Sequence, residues 1–317
     1  MMQKLKDYLV SLGPRNGIVQ LALKLHGLRN GFRIAFSTPF STPSSKRAIS
    51  LRRGAQELIL AEKDFYLLPF MMEVFSQAFQ DIEPQLKDGL ERLDFSGPGA
   101  HRYRKWDITL NFPGTPEDDS IESYTQWYRP QPGDLIFDLG AHAGFTTCML
   151  ARMCGPTGRV IAFEPDAEIV SYLEKNVAGQ QLSNVTIVRK AIDAKTGAAF
   201  FNQDGTMSAG LVDYAVYGNT GQRISVETLS LEDACREFGV PQFIKMDIEG
   251  AEVDVIRASE DFLKRHPIHL AFDSYHRTRD GQFTWMLLEP MLRSYGYEVR
   301  TSLEGGQMFT WARWAKS

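Results

Sequence analysis

Cysteine is scarce in this 317-residue chain, present only as Cys148, Cys154 and Cys235. An odd, sparse set without metal-type spacing excludes a disulfide framework and a cysteine-built zinc site. It makes the cytoplasm the expected compartment. Long apolar runs are missing too. No stretch approaches the roughly 20 residues needed to span a bilayer. Tyr8-Leu9-Val10 is too short for a signal-peptide core and is broken at Gly13-Pro14. Positive charge is not in excess: 35 lysines and arginines face 39 acids, a net charge of −4. Nucleic-acid binders usually show a basic domain, so no nucleic-acid partner is expected. There is no internal repeat and no low-complexity tract.

Acidic residues are nearly absent from the first 53 positions, where Asp7 alone faces ten lysines and arginines. Within that stretch, Ile18 to Leu28 reads as an amphipathic helix with Val19, Leu21, Ala22 and Leu25 inward. Such a basic segment can make peripheral contact with an anionic membrane. The plainer expectation, adopted here, is a solvated face packed on the main domain. Residues 1–118 read as an N-terminal extension of mixed helix and loop with short strands around Ala48–Leu51 and Glu57–Leu60. Asp64 to Leu93 reads as helical, and Phe112–Pro116 as a loop.

From Asp134 the rhythm changes. Apolar runs at Leu135–Phe137, Val160–Phe163, Val185–Val188, Phe243–Ile244 and Ile268–Phe272 alternate with helical stretches near Phe145–Met153, Ala167–Val177, Leu231–Phe238 and Ala251–Leu263. Asp166 is placed to cap a helix, Ser230-Leu231-Glu232-Asp233 fits a capping box, and Gly155 and Gly179 are natural stops. Apolar strands alternating with helices imply a mostly parallel sheet covered on both faces. Tyr297–Thr301 and Met308–Arg313 read as a closing antiparallel hairpin. The expected fold for residues 119–317 is therefore a Rossmann-like α/β domain.

The first predicted strand runs into Asp138-Leu139-Gly140-Ala141-His142-Ala143-Gly144-Phe145-Thr146. A strand, a glycine-rich turn and a helix form a nucleotide-binding design, because glycine lets the backbone approach the ligand. Glu164-Pro165 ends the second strand about 20 residues on, where an acid can hold ribose hydroxyls. The spacing Gly140-x-x-x-Gly144 is not the dinucleotide pattern. A pyrophosphate at the helix N-terminus would also meet repulsion from Asp138. S-adenosylmethionine carries an ammonium and a sulfonium but no phosphate, and Asp138 suits those charges directly or through water. Gly140, Ala141, His142, Gly144, Phe145 and Thr146 are the expected cofactor turn. By analogy of fold, adenine belongs near Ile192 and Asp193.

A second motif places Lys245, Asp247 and Glu249 at alternate positions after Phe243-Ile244, with Glu252 following. If the strand persisted, all three charges would share one face, at the carboxyl edge where open α/β sheets bind ligands. A structural ion cluster at the next helix start is the plainer alternative.

These segments together resemble FkbM-type methyltransferases. The resemblance rests on Phe137–Gly144, Ala162–Pro165, Val188–Asp193, Val226–Asp233 and Ile244–Glu252, in order, across roughly Trp127 to His276. It implies S-adenosylmethionine as cofactor and O-methylation of a saccharide or natural-product hydroxyl. In the family a glutamate followed shortly by histidine often comes after strand five. This chain has Asp273-Ser274-Tyr275-His276 there, with altered spacing. An alcohol acceptor needs help to lose its proton. His276, whose ordinary pKa lies near neutrality, is the expected base, with Asp247 and Glu249 beside it and Asp247 also facing the cofactor. Clustered carboxylates suit a divalent metal, but no spacing here specifies its ligands. A nicotinamide-dependent oxidoreductase and a non-catalytic binding protein on the same fold are the alternatives. Oligomeric state is not legible.

Overall fold

The computed structural model describes residues 17–36, 47–117, 120–203, 210–211, 222–304 and 307–314. The chain divides into two units, Met1–Asp118 and Asp119–Ser317.

In the first unit, α1 (Gly17–Arg29) precedes β1 (Arg33–Phe36), β2 (Ala48–Arg53) and β3 (Gln56–Ala61), then a 3-10 turn and the short helices α2 (Leu68–Glu73) and α3 (Phe75–Asp81). β4 (Gln85–Lys87) and β5 (Leu90–Phe95) complete a five-stranded sheet ordered β1-β2-β3-β5-β4, and β6 (Gly99–Tyr103) pairs with β7 (Ile108–Phe112). The expected strand pair is thus present as β2 and β3, but two expectations fail. The helix expected from Asp64 to Leu93 stops at Asp81. Beyond it Asp88 and Gly89, both at positive φ, turn β4 into β5, and Asp-Gly is a strong hairpin signal. In α1, Val19 is buried, but Leu21, Leu25 and Leu28 are more than half exposed, opposite to the inward stripe expected for Leu21 and Leu25.

The second unit opens with α4 (Ile121–Tyr124) and builds a seven-stranded sheet. In chain order its elements are β8 (Leu135–Leu139), α5 (Phe145–Cys154), β9 (Arg159–Phe163), α6 (Ala167–Gly179), β10 (Val185–Val188), β11 (Ala191–Ile192), β12 (Gly197–Gln203), β13 (Gly210–Leu211), β14 (Gln222–Leu229), α7 (Leu231–Phe238), β15 (Phe243–Met246), α8 (Glu252–Ala258), α9 (Glu260–Arg265), β16 (His269–Asp273), α10 (Thr284–Ser294), β17 (Tyr297–Glu304) and β18 (Gln307–Trp314). The spatial order is β10-β9-β8-β15-β16-β18-β17. The first five strands run parallel, β18 runs antiparallel beside β16, and β17 pairs antiparallel with β18 and so returns to the direction of the first five. This is a Rossmann-like sheet with a closing hairpin. Gly305 and Gly306, expected at the tip of that hairpin, lie outside the described residues.

Burial explains the order. β15 is buried along its whole length and β8 and β9 over their last four residues, as parallel strands covered on both faces must be. Phe137, Phe163, Ile244 and Phe272 share one core with helix residues Val255, Leu263 and Leu288. Each such side chain contributes about 1.5–3 kcal/mol on leaving water. Local signals set the helix ends. Asp166 caps α6 by accepting from the amides of Glu168 and Ile169. Ser230 caps α7 by accepting from Asp233 N. The reciprocal bond of a full capping box is replaced, because Ser230 N donates to Thr196 Oγ1 instead. Among the described residues no helix is long and apolar enough to cross a membrane.

The chain leaves β8 for β9 on one side and places β15 on the other, so the sheet order reverses at the carboxyl end of β8. Ligands bind at such switch points in open α/β sheets. A smaller sheet, ordered β11-β14-β12-β13, supplies further cleft walls. Within the stretch Asn202–Gln222, positions 204–209 and 212–221 lie outside the described residues.

Candidate functional site

At the switch point, β8 and β15 end almost in contact. Lys245 pairs in register with Asp138 and Met246 with Leu139. Asp247 N then donates to Leu139 O at 3.0 Å. A side chain on Gly140, at φ +77°, would place its Cβ 1.9 Å from the Asp247 carbonyl oxygen, so only glycine fits. Gly144, at φ +95°, has a different role: a Cβ there would meet Leu173 Cδ1 at 2.4 Å, which fixes how α5 packs on α6.

A cleft opens here, at the place where open α/β sheets bind ligands. Gly140, His142, Glu164, Pro165, Ile192 and Asp247, all expected from the sequence, line it. Ile169, Phe201 and Leu211 add apolar walls. Ile169 comes from α6, while Phe201 and Leu211 reach the cleft on β12 and β13 of a separate sheet. Ala141, Phe145 and Thr146 are buried and do not line it. Asp193 faces another depression with Lys195 and Arg257, and its carboxylate accepts from Ala194 N.

Asp138, expected among the cofactor contacts, is held inside the sheet. Its carboxylate is fully buried, 3.2 Å from Lys245 Nζ, and accepts from Thr147 Oγ1 at 2.6 Å. It does not line the cleft. The same Lys245 ammonium donates to Gly140 O at 2.7 Å. Asp138 therefore holds the lysine that ties the glycine turn to β15. The expectation of one charged face also fails, because β15 ends at Met246 and Glu249 takes left-handed backbone at φ +57°.

Glu164 sits at the end of β9 and its carboxylate accepts from His142 N and Asp166 N, each at 3.0 Å. Burial pushes its pKa up to about 7, against the pull of these backbone donors and His142. Two amides leave lone pairs on both oxygens for further donors.

At the other end of the cleft, Asp247 Oδ1 lies 3.6 Å and Glu249 Oε2 3.7 Å from His276 Nε2. His276 Nδ1 lies 3.1 Å from Glu252 Oε1, which also accepts from Ile248 N. The histidine loop is pinned by Thr284, whose amide donates to His276 O and whose hydroxyl donates to Ser274 O. Burial alone would favour neutral imidazole, but the Glu249, Glu252 and Asp247 carboxylates outweigh it and hold the His276 pKa well above its ordinary value. The neutral base expected from the sequence is therefore not the form this cluster favours when it holds no ligand. Asp273 is buried and lies outside the group formed by Asp247, Glu249 and His276.

Tyr124 was missed altogether. Its hydroxyl donates to Asp247 Oδ2 at 3.1 Å and its ring packs edge-on against Phe309. Trp311 Nε1 donates to Ser123 O and fixes α4 there. No spacing in the sequence links residue 124 to residue 247. Thr147 had a signal: a buried strand carboxylate needs a donor, and the first turn of α5 is the nearest source.

The family described as Methyltransferase FkbM domain matches residues 138–299, about half of the chain. The 2-O-methyltransferase NoeI of Sinorhizobium fredii is 25% identical over 185 residues, covering 52% of this chain and 73% of its own. The hexuronic acid methyltransferase AglP of Haloferax volcanii is 23% identical over 133 residues, covering 41% of this chain and 52% of its own. Two other curated methyltransferases match over shorter stretches, and the chain spans only 25% and 14% of their lengths. A solved structure, the methyltransferase FkbM of Methylobacillus flagellatus, is 17% identical, covers 61% of this chain and 50% of that one, and superposes with a TM-score of 0.42.

Proposed function

This chain belongs to the FkbM methyltransferase domain family, and from that premise we propose that it methylates a hydroxyl oxygen of a saccharide. S-adenosylmethionine is its methyl donor and supplies a methyl group already activated on sulfonium sulfur. The lining of the cleft supports a reading of how this donor is held. Glycine alone is accommodated at position 140, where the Asp247 carbonyl closes on the turn, and the turn itself borders the cleft. Glu164 offers lone pairs where ribose hydroxyls would lie, and Ile169, Phe201 and Leu211 offer apolar walls beside Ile192 for adenine. His142, held at φ +46°, turns its backbone into the same space. Strained non-glycine backbone of this kind collects at ligand sites.

The observation that carries the acceptor reading is the cluster of Asp247, Glu249 and His276 at the far end of that cleft. Two carboxylates and an imidazole suit a hydroxylated molecule, because each hydroxyl donates and accepts. Asp247 and Glu249 offer the oxygens that take the hydroxyl proton as the acceptor oxygen bonds carbon. His276 holds the hydroxyl in line, and alignment is the larger share of catalysis in such a transfer. The names of two relatives support the substrate class, one a 2-O-methyltransferase and the other acting on hexuronic acid.

The test is incubation of the purified chain with labelled S-adenosylmethionine and a panel of saccharides, followed by mass spectrometry and linkage analysis. The expected product carries one O-methyl group on a sugar ring. Methyl transfer confined to nitrogen, sulfur or carbon acceptors would overturn the reading.

A further inference from the structure

We propose that Asp247, Glu249 and His276 bind a divalent cation, and that this ion receives two neighbouring hydroxyls of the acceptor. The second half rests on the methyltransferase reading above; the first half does not. The three side chains offer one ligand atom each, all within 4.8 Å of one another. Two atoms ~2.2 Å from a shared ion are about 3.1 Å apart at a right angle and about 3.6 Å apart at a tetrahedral angle, given ordinary metal–ligand lengths. The 3.6 and 3.7 Å from His276 Nε2 to the two carboxylate oxygens match that separation and exceed hydrogen-bond length.

Acidic groups gather on surfaces without holding ions, so the histidine decides the matter. Its side chain is 5% exposed, and Nε2 is buried, points at both carboxylates and makes no hydrogen bond. A buried ring nitrogen that faces two carboxylates beyond hydrogen-bond length leaves room for an ion among the three. The other ring nitrogen, Nδ1, is engaged by Glu252, a residue with no exposure, itself anchored by Ile248 N. A carboxylate behind a histidine is the usual outer partner of a metal-ligating imidazole, fixing tautomer and ring angle. Tyr124, donating to the second oxygen of Asp247, orients that carboxylate in the same way. Asp247 and Glu249 are only partly buried and face the cleft, so an ion with three protein ligands keeps positions open on the side where an acceptor would enter.

One imidazole with two carboxylates suits a cation at home with both nitrogen and oxygen, such as manganese, better than calcium, which takes oxygen alone. Open neighbouring positions on the ion select vicinal diols, which sugar rings supply, over isolated alcohols.

The experiment is a titration of the EDTA-treated full chain with Mn2+, followed by electron paramagnetic resonance. The expected result is one bound Mn2+ per chain with coupling to a single imidazole nitrogen. His276→Gln should abolish the nitrogen coupling, and Asp247→Asn should weaken binding about 10-fold or more, the scale seen when groups supporting a metal site are lost. S-adenosylmethionine binding by His276→Gln serves as the folding control. Absence of bound Mn2+ at millimolar concentration in the wild type, or binding without nitrogen coupling, would overturn the site. Mn2+ binding without S-adenosylmethionine binding would leave the site standing and sink the methyltransferase reading. The reverse result would do the opposite.

Discussion

Glu164 gives the sharpest test of how the cleft is built. Its carboxyl is buried and its pKa raised from 4.5 to about 7. The folded chain therefore holds a proton that the unfolded chain releases near its ordinary value. Stability from this group is fully present below about pH 4.5 and is lost as pH rises through about 7. Each pH unit of retention is worth ~1.4 kcal/mol, so integrating from pH 5 to pH 8 gives a loss of about 2.5 kcal/mol. Glu164→Gln cannot titrate and removes that slope. Its single amide oxygen satisfies only one of the two backbone donors, so its absolute stability falls and only the pH dependence is diagnostic. Denaturant melts at pH 5 and pH 8 should show the wild type losing about 2.5 kcal/mol more than the variant. Ligand binding adds a second reading. If ribose hydroxyls need the ionised carboxylate, S-adenosylmethionine should bind about 10-fold more weakly at pH 6 than at pH 8, since roughly a tenth of the carboxyl is ionised one unit below its pKa. Calorimetry in buffers of different ionisation enthalpy should record proton release on binding. Parallel stability curves for the two proteins, or affinity flat across this range, would refute the placement of Glu164 as a buried ribose acceptor.

Other substitutions probe separate links. Lys245→Met leaves the Asp138 carboxylate buried without its cation and should cost about 3–5 kcal/mol, while the double variant with Asp138→Asn recovers part of that loss; equal melting temperatures for single and double variants would show that the pair is not coupled. Gly140→Ala should abolish S-adenosylmethionine binding, because the Asp247 carbonyl occupies the space; Gly144→Ala meets only the movable end of Leu173 and should retain more of it, as calorimetry would reveal. Ser230→Ala should destabilise by about 1 kcal/mol through loss of the α7 cap, read by denaturant unfolding. Tyr124→Phe should lower kcat up to about 10-fold by freeing Asp247, since a hydrogen bond of this kind is worth up to ~1.5 kcal/mol; an unchanged kcat would mean that Asp247 needs no orienting donor.

The parallel sheet was legible because its strands are short apolar runs and its helices carry their own caps, signals that act within ten residues. The N-terminal unit was less legible. Its strands are half exposed, and the Lys87-Asp88-Gly89-Leu90 hairpin was hidden inside an apparently helical stretch. In α1 the leucine spacing suggested an inward face, yet Leu21 and Leu25 point outward, because burial of Val19 and Gly27 sets the helix rotation.

At the site, the strand ends were readable and the partners of each charge were not. Asp138 shows why. A carboxylate beside a glycine turn has the right charge for a cationic cofactor, and from the sequence nothing competes for it. In the fold, Lys245 lies opposite it on the neighbouring strand, and two opposite charges side by side in a fully buried sheet must neutralise each other or remain uncompensated. That pairing depends on β8 and β15 being neighbours although about 105 residues separate them, a fact of topology and not of local pattern. The same holds for Tyr124 with Asp247 and for Glu252 with His276. The residues that chemistry needs at a cleft can be named from motifs, but which of them face the ligand and which hold the others in place follows only from the strand order. Exchanging the buried pair, with Asp138→Lys and Lys245→Asp together, tests this directly. If the pair serves the turn alone, the swapped protein should regain much of the stability lost by either single variant while S-adenosylmethionine affinity stays low, because the ammonium no longer reaches Gly140 O. Full affinity in the swapped protein would mean that Lys245 does not hold the turn.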